Sequence, residues 1–175
     1  MKQKYIDLYM DWAKRAAELS HARRLHVGAV IVKDDSVISY GYNGMPAGWD
    51  NNCENKVYSS GDEGGWLSPE EIEERWPYKE YGGEFQDQVR RYALKTKIEV
   101  LHAESNAIAK LAKSHNSGLN ADLFITHSPC IDCAKLIHQA GIKRVFYGEN
   151  YRDDAGVQFL AKSGIEVVQV GIKND

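Results

Sequence analysis

Two thiols and one imidazole stand in a pattern that is typical of metal ligands. Cys130 and Cys133 form a C-x-x-C pair directly after Pro129, and His102 precedes them in an H-x-E element. Proline lacks a backbone N–H and biases the residue before it towards an extended conformation, so a strand should end here and a helix should begin at the thiols. Unpaired N–H groups and the helix dipole favour thiolate there, and thiolate is the form that binds zinc.

One imidazole and two thiolates make three protein ligands, which is typical of a catalytic zinc site with a water in the fourth position. Glu104 lies two residues after His102, near enough to accept a proton from that water. Zinc lowers the pKa of the water, whose oxygen can then attack an electrophilic carbon. The combination of H-x-E with P-C-x-x-C is the signature of zinc-dependent nucleobase deaminases. The pattern therefore predicts hydrolytic deamination.

The cysteines allow other interpretations. A thioredoxin-like redox motif would follow the first strand of a βαβ unit, whereas this C-x-x-C comes late in the chain and has the H-x-E partner. Cys53 stands alone in its segment, as a buried free thiol or with a second metal or nucleotide-linked role. A closed structural zinc site would need a fourth ligand, for which the candidates are Cys53, His21, His26, His115, His127 and His138.

Length, charge and composition limit the classes of protein that fit. The 175 residues suit one domain, which buries roughly 70% of its unfolded surface and needs no disulfide framework. The 22 lysines and arginines against 25 aspartates and glutamates leave a net charge of −3, which disfavours a long nucleic acid as partner. The chain shows neither an apolar run of the ~20 residues of a membrane span nor a secretory signal. We expect a cytoplasmic protein with no membrane or nucleic-acid partner.

Regular elements must position the candidate ligands, and after residue 100 helices and strands are predicted to alternate. The predicted helices are 101–114, 130–140 and 154–163, and the predicted strands are 121–126, 144–147 and 165–170. Upstream, the pattern predicts an amphipathic helix over about 6–19 and a β-hairpin with strands 27–32 and 36–42. The first hairpin strand is apolar on both faces, so we expect it inside the sheet. These elements predict an α/β fold with helices on both faces of one sheet and largely parallel later strands.

The stretch from Asn43 to about Lys97 differs in composition, being rich in glycine, polar residues and aromatic residues. A short helix is predicted over 68–76, with Ser68 as its cap and Pro69 in its first turn. The aromatic residues can stack on bases, or can close a small core of the loop or a subunit interface. They are Trp49, Tyr58, Trp66, Trp76, Tyr78, Tyr81 and Phe85.

Three stretches carry a resemblance to a known family: VGAVIV with GYNGMPAG, then HAESNAI, then SPCIDCAKLIHQAGI. In this order they resemble the deoxycytidylate (dCMP) deaminases of the zinc-dependent cytidine deaminase superfamily. The resemblance implies one catalytic domain over 1–175 with a long insert at about 49–97. It also implies a three-layer α/β/α fold around a five-stranded mixed sheet.

The resemblance implies that Zn²⁺ is held by His102, Cys130 and Cys133, and that Glu104 shuttles protons while dCMP becomes dUMP and ammonia. The substrate contacts that it implies are Asn43 to the sugar, the backbone around Ala103 and Ser128 to the pyrimidine, and Tyr151 with Arg152 to the phosphate. Arg23 and Arg24 are further candidates for a nucleotide phosphate. The alternatives are a deaminase acting on tRNA or single-stranded nucleic acid, and a non-catalytic nucleotide-sensing or structural zinc protein.

The family also has an allosteric site, at which dCTP activates and dTTP inhibits with Mg²⁺ on the triphosphate. Gly44, Met45 and Pro46 match its loop, and Arg23 and Arg24 are assigned to the same effector site. Glycines on both sides of Pro46 would let backbone N–H groups approach phosphate oxygens. This chain departs from many relatives in having Trp49 rather than cysteine after Gly48. A homotrimer or homohexamer is the expected assembly.

Overall fold

The structure is a computed structural model that describes residues 1–59, 67–82 and 89–171. It divides into two compact units, Met1–Asn52 with Glu99–Asp175, and Cys53–Ile98. In chain order the elements are α1 (Gln3–Ala17), β1 (Gly28–Lys33), β2 (Ser36–Tyr42), β3 (Glu54–Tyr58), α2 (Pro69–Arg75), β4 (Tyr78–Tyr81), β5 (Val89–Thr96), α3 (Ala103–Leu111), β6 (Asp122–His127), α4 (Ile131–Gln139), β7 (Arg144–Glu149), α5 (Ala155–Lys162) and β8 (Glu166–Gln169).

The first unit is built on a five-stranded mixed sheet in the order β2-β1-β6-β7-β8. Strand β1 is antiparallel to both of its neighbours, β2 and β6, whereas β6, β7 and β8 are parallel to one another. The first five residues of β1 are buried, as expected for a strand that is apolar on both faces. The predicted hairpin, the interior position of its first strand and the parallel later strands are confirmed.

Alternate side chains of the sheet pack against helices on opposite sides. One face packs against α1 and the other against α3, α4 and α5, so the prediction of helices on both faces is confirmed. The α1 face presents Val30, Val32, Phe124 and Phe146. The opposite face presents Ala29, Ile31, Leu123, Ile125, Val145 and Tyr147. This two-sided burial makes the sheet a rigid base for the loops at its edges.

The second unit contains a three-stranded antiparallel sheet in the order β3-β5-β4. Tyr58, Tyr92 and Tyr78 lie opposite one another across it, and their ring centroids are 5.8 and 5.4 Å apart. The predicted short helix is present as α2, with a capping box at Ser68. Trp66 lies outside the described residues, as does Phe85. The sequence analysis missed these strands because their mixed charged and aromatic side chains show little apolar alternation.

Among the described residues, no helix combines the length and the apolar character that a membrane span requires.

An ion pair joins β6 to β7 at the amino ends of these strands. The Asp122 carboxylate, only 8% exposed, accepts two hydrogen bonds of 2.7 and 2.6 Å from the Arg144 guanidinium. Breaking such a pair from one side is costly because it leaves a desolvated charge without a partner.

We therefore expect Arg144→Met to lower the free energy of unfolding by about 3 kcal/mol, as measured by urea denaturation. Arg15→Met is the matched control, because Arg15 is 79% exposed and pairs with Glu18 at the surface. Its cost should stay below about 1 kcal/mol. Equal losses in the two variants would contradict a special role for the Asp122 pair.

Candidate active site

The two helices that carry the candidate ligands begin at the same edge of the sheet. Helix α4 follows β6 directly, so its first turn lies at the carboxyl end of that strand. His102 is the N-cap residue of α3, Cys130 is the N-cap residue of α4, and Cys133 lies in the first turn of α4. Both N-cap residues have extended backbone. Helix α4 begins directly after Cys130, as predicted from Pro129.

The three side chains point their donor atoms at one another. The Nδ1 atom of His102 lies 3.6 Å from Sγ of Cys130 and 3.4 Å from Sγ of Cys133. All three donor atoms lie within 4.8 Å of one another. A tetrahedral zinc with ordinary bond lengths separates a nitrogen and a sulfur ligand by about 3.6 Å. The cluster therefore fits Zn²⁺, with Nδ1 as the imidazole donor.

The charges in the cluster also suit a dication. Hydrogen bonds from the Cys133 thiol and the His102 ring lower the pKa of Cys130 to about 4, so this sulfur is thiolate at neutral pH. The hydrogen bond to the Cys130 thiolate raises the pKa of Cys133. Burial and repulsion from Glu104 and Cys130 raise it further. A metal ion at the centre of the cluster removes that repulsion and lets both sulfurs ionise.

Glu104 lies in the first turn of α3 with its side chain turned inwards. The residue is only 4% exposed. Burial raises the pKa of its carboxyl to about 7. A carboxyl with such a pKa exchanges protons readily at neutral pH, which is the property required of a general acid and base.

Helix α3 approaches β2 without an intervening side chain. A Cβ atom on Gly41 would lie 2.2 Å from the carbonyl oxygen of Ala103, so no larger residue fits. Next to this contact, the Asn106 amide donates a 2.8 Å hydrogen bond to the carbonyl oxygen of Tyr42. Backbone contact therefore sets the position of the turn that carries His102 and Glu104.

The start of α4 is supported in the same way from α5. A Cβ atom on Gly156 would lie 2.0 Å from the carbonyl oxygen of Pro129 and 2.9 Å from the carbonyl carbon of Cys130. The first turn of α5 therefore packs directly on the backbone of the thiol loop. The sequence analysis gave Gly156 and Gly41 no role, because nothing local to a glycine shows which backbone will approach it.

The predicted pyrimidine and phosphate residues are joined through Ser128. Its N–H donates to the Glu149 carbonyl oxygen at 2.8 Å, which extends the pairing of β6 with β7. Its hydroxyl, in a residue that is 4% exposed, accepts a 2.7 Å hydrogen bond from the N–H of Tyr151. Arg152 is exposed, with its guanidinium 5.3 Å from the Tyr151 ring. The turn after β7 is thus held beside the thiol loop.

The remaining predicted residues lie at three places. Asn43 directly follows β2, and its side chain bonds to the backbone between α1 and β1, where Arg23 and Arg24 are exposed. The Gly44 N–H donates to the Leu101 carbonyl oxygen, so this amide is not available to a phosphate, contrary to our expectation for the loop. Met45 and Pro46 follow it and are half-buried.

Cys53 belongs to the second unit, and it is buried. Within the ranges that the structure describes, neither Cys53 nor any of the other candidate histidines joins the cluster of three. The donor set is therefore that of a zinc site with a position for water rather than of a closed structural site.

Three ligands beside a buried carboxyl, at the edge of a mixed α/β sheet, define a zinc-binding hydrolase that uses water as a reactant. Residues 3–149 match the profile of the "Cytidine and deoxycytidylate deaminase zinc-binding region". The chain belongs to this family. The prediction of the family from the three sequence stretches is thereby confirmed.

Similar proteins agree with this placement. Deoxycytidylate deaminase of Enterobacteria phage T4 is 37% identical over 166 residues, which cover 85% of this chain and 80% of that protein. ComE operon protein 2 of Bacillus subtilis is 35% identical over 163 residues, which cover 93% of this chain and 69% of that protein. The structure of the dCMP deaminase from cyanophage S-TIM5, solved with dCMP and dUMP, is also similar. It is 34% identical in sequence, has a TM-score of 0.73, and the match covers 97% of this chain and 99% of that chain. The cytidine deaminase-like fold is confirmed.

Gly156→Ala should weaken zinc binding, because the added methyl group forces α5 away from the loop that begins α4. We expect the affinity to fall on the order of tenfold, as for other changes to residues that support metal ligands. Competition with a chromogenic chelator measures it. Gly171→Ala is the matched control, since no heavy atom of the described chain lies within 4 Å of its added Cβ. Unchanged affinity in Gly156→Ala would show that the contact does not position the thiols.

Proposed function

We propose that this chain is a zinc-dependent dCMP deaminase, which converts dCMP and water into dUMP and ammonia. The observation that carries the proposal is the buried Glu104 beside the cluster of His102, Cys130 and Cys133. The substrate is proposed from the similarity to the cyanophage enzyme that was solved with dCMP and dUMP. That similarity spans nearly the whole of both chains.

In the proposed reaction, His102, Cys130 and Cys133 hold the metal. When bound, Zn²⁺ lowers the pKa of a water towards neutrality and so supplies a nucleophile at pH 7. The backbone at Ala103 and Ser128 holds the edge of the pyrimidine. Both residues are buried and fixed by backbone contacts, so they present their peptide groups without rearrangement.

Glu104 moves the protons. It takes one proton from the attacking water and gives it to N3 of cytosine while the oxygen bonds to C4. A second proton from the same oxygen then passes to the exocyclic nitrogen, the bond from C4 to that nitrogen breaks, and ammonia leaves. The carboxyl ends the cycle as it began, which a pKa of about 7 permits in both directions.

The phosphate of dCMP is assigned to the turn that contains Tyr151 and Arg152. This turn follows β7 and lies at the carboxyl edge of the parallel strands, where ligands of α/β proteins commonly bind. The Ser128 hydroxyl holds the Tyr151 N–H, and the exposed Arg152 supplies a guanidinium that can make charge-assisted hydrogen bonds.

Regulation by dCTP and dTTP, with Mg²⁺ on the triphosphate, and assembly into a homotrimer or homohexamer are part of the proposal. The regulation is supported by the family's loop sequence at Gly44, Met45 and Pro46, and the assembly by the resemblance to the family. The Gly44 N–H bond to Leu101 couples this loop to the residue before His102, which offers a route from effector to metal site.

A panel of cytosine compounds tests the function. We expect dCMP to yield dUMP and ammonia, and deoxycytidine to react on the order of 100-fold less efficiently because the phosphate contacts are lost. CMP, dCTP and an RNA hairpin complete the panel, each with and without dCTP and dTTP as effectors. Equal turnover of nucleoside and nucleotide would contradict the phosphate assignment. Preferential turnover of the RNA would instead identify a nucleic-acid deaminase.

Glu104→Gln tests the proton shuttle. The amide has nearly the same shape but cannot accept the proton, so kcat for dCMP should fall by roughly 10²- to 10⁴-fold. Zinc content should be unchanged, since the three ligands remain. The control is Glu18→Gln, which alters an exposed carboxylate directly after α1 that pairs with Arg15. Substantial activity in zinc-loaded Glu104→Gln would refute the role of Glu104.

A further inference from the structure

The face of the five-stranded sheet that carries α1 is only partly covered by this chain. Of the helices that the structure describes in the first unit, only α1 packs against this face, mainly over β1, β2 and β6. A helix is about 10 Å wide, whereas five strands extend over about 20 Å. Towards the β8 edge, Val168 and Val170 on the same face remain half-buried. Apolar surface therefore continues beside α1.

Helix α1 is apolar on its outer side as well as on the side that it buries. Leu8 and Trp12 lie one turn apart and are 42% and 46% exposed. The half-buried Tyr5 precedes them, so that the three residues have the 3-4 spacing of a coiled-coil seam. We call Tyr5, Leu8 and Trp12 the α1 stripe. Single exposed apolar side chains are ordinary, but a stripe with this spacing is the pattern through which helices pair.

Trp12 is held in place before any partner arrives. Its ring meets the ring of Tyr9 edge-on, with the centroids 6.0 Å apart. The Tyr9 hydroxyl in turn donates a 3.1 Å hydrogen bond to the Asp35 carbonyl oxygen, and Tyr9 is buried. The indole therefore loses little conformational freedom when a partner covers it. Tryptophan is also among the residue types that contribute most to the free energy of binding at interfaces.

The charges beside the α1 stripe indicate which partner fits it. Lys4 and Asp11 are both exposed and are seven residues apart, so they lie on one flank of the helix, about 10 Å apart along its axis. When a second α1 lies antiparallel, with a twofold axis near Leu8, Lys4 of each copy faces Asp11 of the other. A parallel arrangement would instead bring like charges together. The stripe is therefore complementary to a second copy of itself, as a twofold contact requires.

We infer that α1 forms a twofold contact between two copies of this chain, in which antiparallel helices pack through Leu8 and Trp12 and are aligned by two ion pairs between Lys4 and Asp11. The inference rests on the assembly part of the proposed function. It selects the hexamer, because a twofold contact joins two trimers, whereas a trimer contains no twofold contact. It does not depend on which substrate the chain deaminates.

Sedimentation velocity over a range of concentrations tests the contact, with zinc-loaded protein and no effector. Lys4→Glu brings carboxylates together across the contact, and Asp11→Lys brings ammonium groups together. Each variant alone should dissociate from hexamers into trimers, with the Kd of the twofold contact raised on the order of 10- to 100-fold. An equimolar mixture of the two variants should regain hexamers, because every mixed contact joins opposite charges. That recovery would also show that both variants are folded.

Leu8→Gln should weaken the same contact on the order of tenfold, because it removes apolar area at the centre. The matched control is Leu119→Gln, which alters a leucine that is 58% exposed before β6, and its assembly should equal that of the wild type.

A wild type that stays trimeric or monomeric at every concentration would overturn the inference. So would a mixture of Lys4→Glu and Asp11→Lys that stays dissociated, or equal dissociation in Leu8→Gln and Leu119→Gln. Hexameric wild type that fails to deaminate dCMP would reject the proposed substrate and leave the contact in place.

Discussion

Contact between backbones, with no side chain between them, is the constraint on which the site depends. At Gly41 the end of β2 touches the first turn of α3, and at Gly156 the first turn of α5 touches the loop before α4. A methyl group at either place would overlap a carbonyl oxygen. The imidazole and the thiols come from helices separated by a strand in the chain, so their spacing of about 3.5 Å depends on these two contacts.

The sheet provides rigid support for the elements that make these two contacts. Its interior strands are buried from both faces, so the ends of β1, β6 and β7 offer a stiff edge to the loops that follow or precede them. The electrostatics are built on the same edge. Burial keeps Glu104 exchangeable near neutral pH, and the Cys130 thiolate carries a negative charge that favours a dication. Fold and charge thus point to the same chemistry.

Loops around the site are held by hydrogen bonds to backbone groups rather than by apolar packing. Ser128 holds the turn at Tyr151, and Asn43 holds the segment before β1. Bonds of this kind specify position while leaving exposed side chains, such as Arg152, able to meet a ligand. Exposed side chains along this rim can therefore differ while the three metal-ligand side chains and the buried carboxyl stay as they are.

The sequence by itself determined the chemistry and most of the elements. Proline before the thiols, H-x-E spacing and apolar periodicity are local signals, so they predicted the ligands, Glu104, the hairpin and the alternating helices and strands. Only the tertiary structure decided the strand order, the use of Nδ1 by His102, the sheet of the second unit, and the roles of Gly41 and Gly156. Each of these depends on which distant backbone lies within bonding or contact distance, and no local pattern of residue types encodes that.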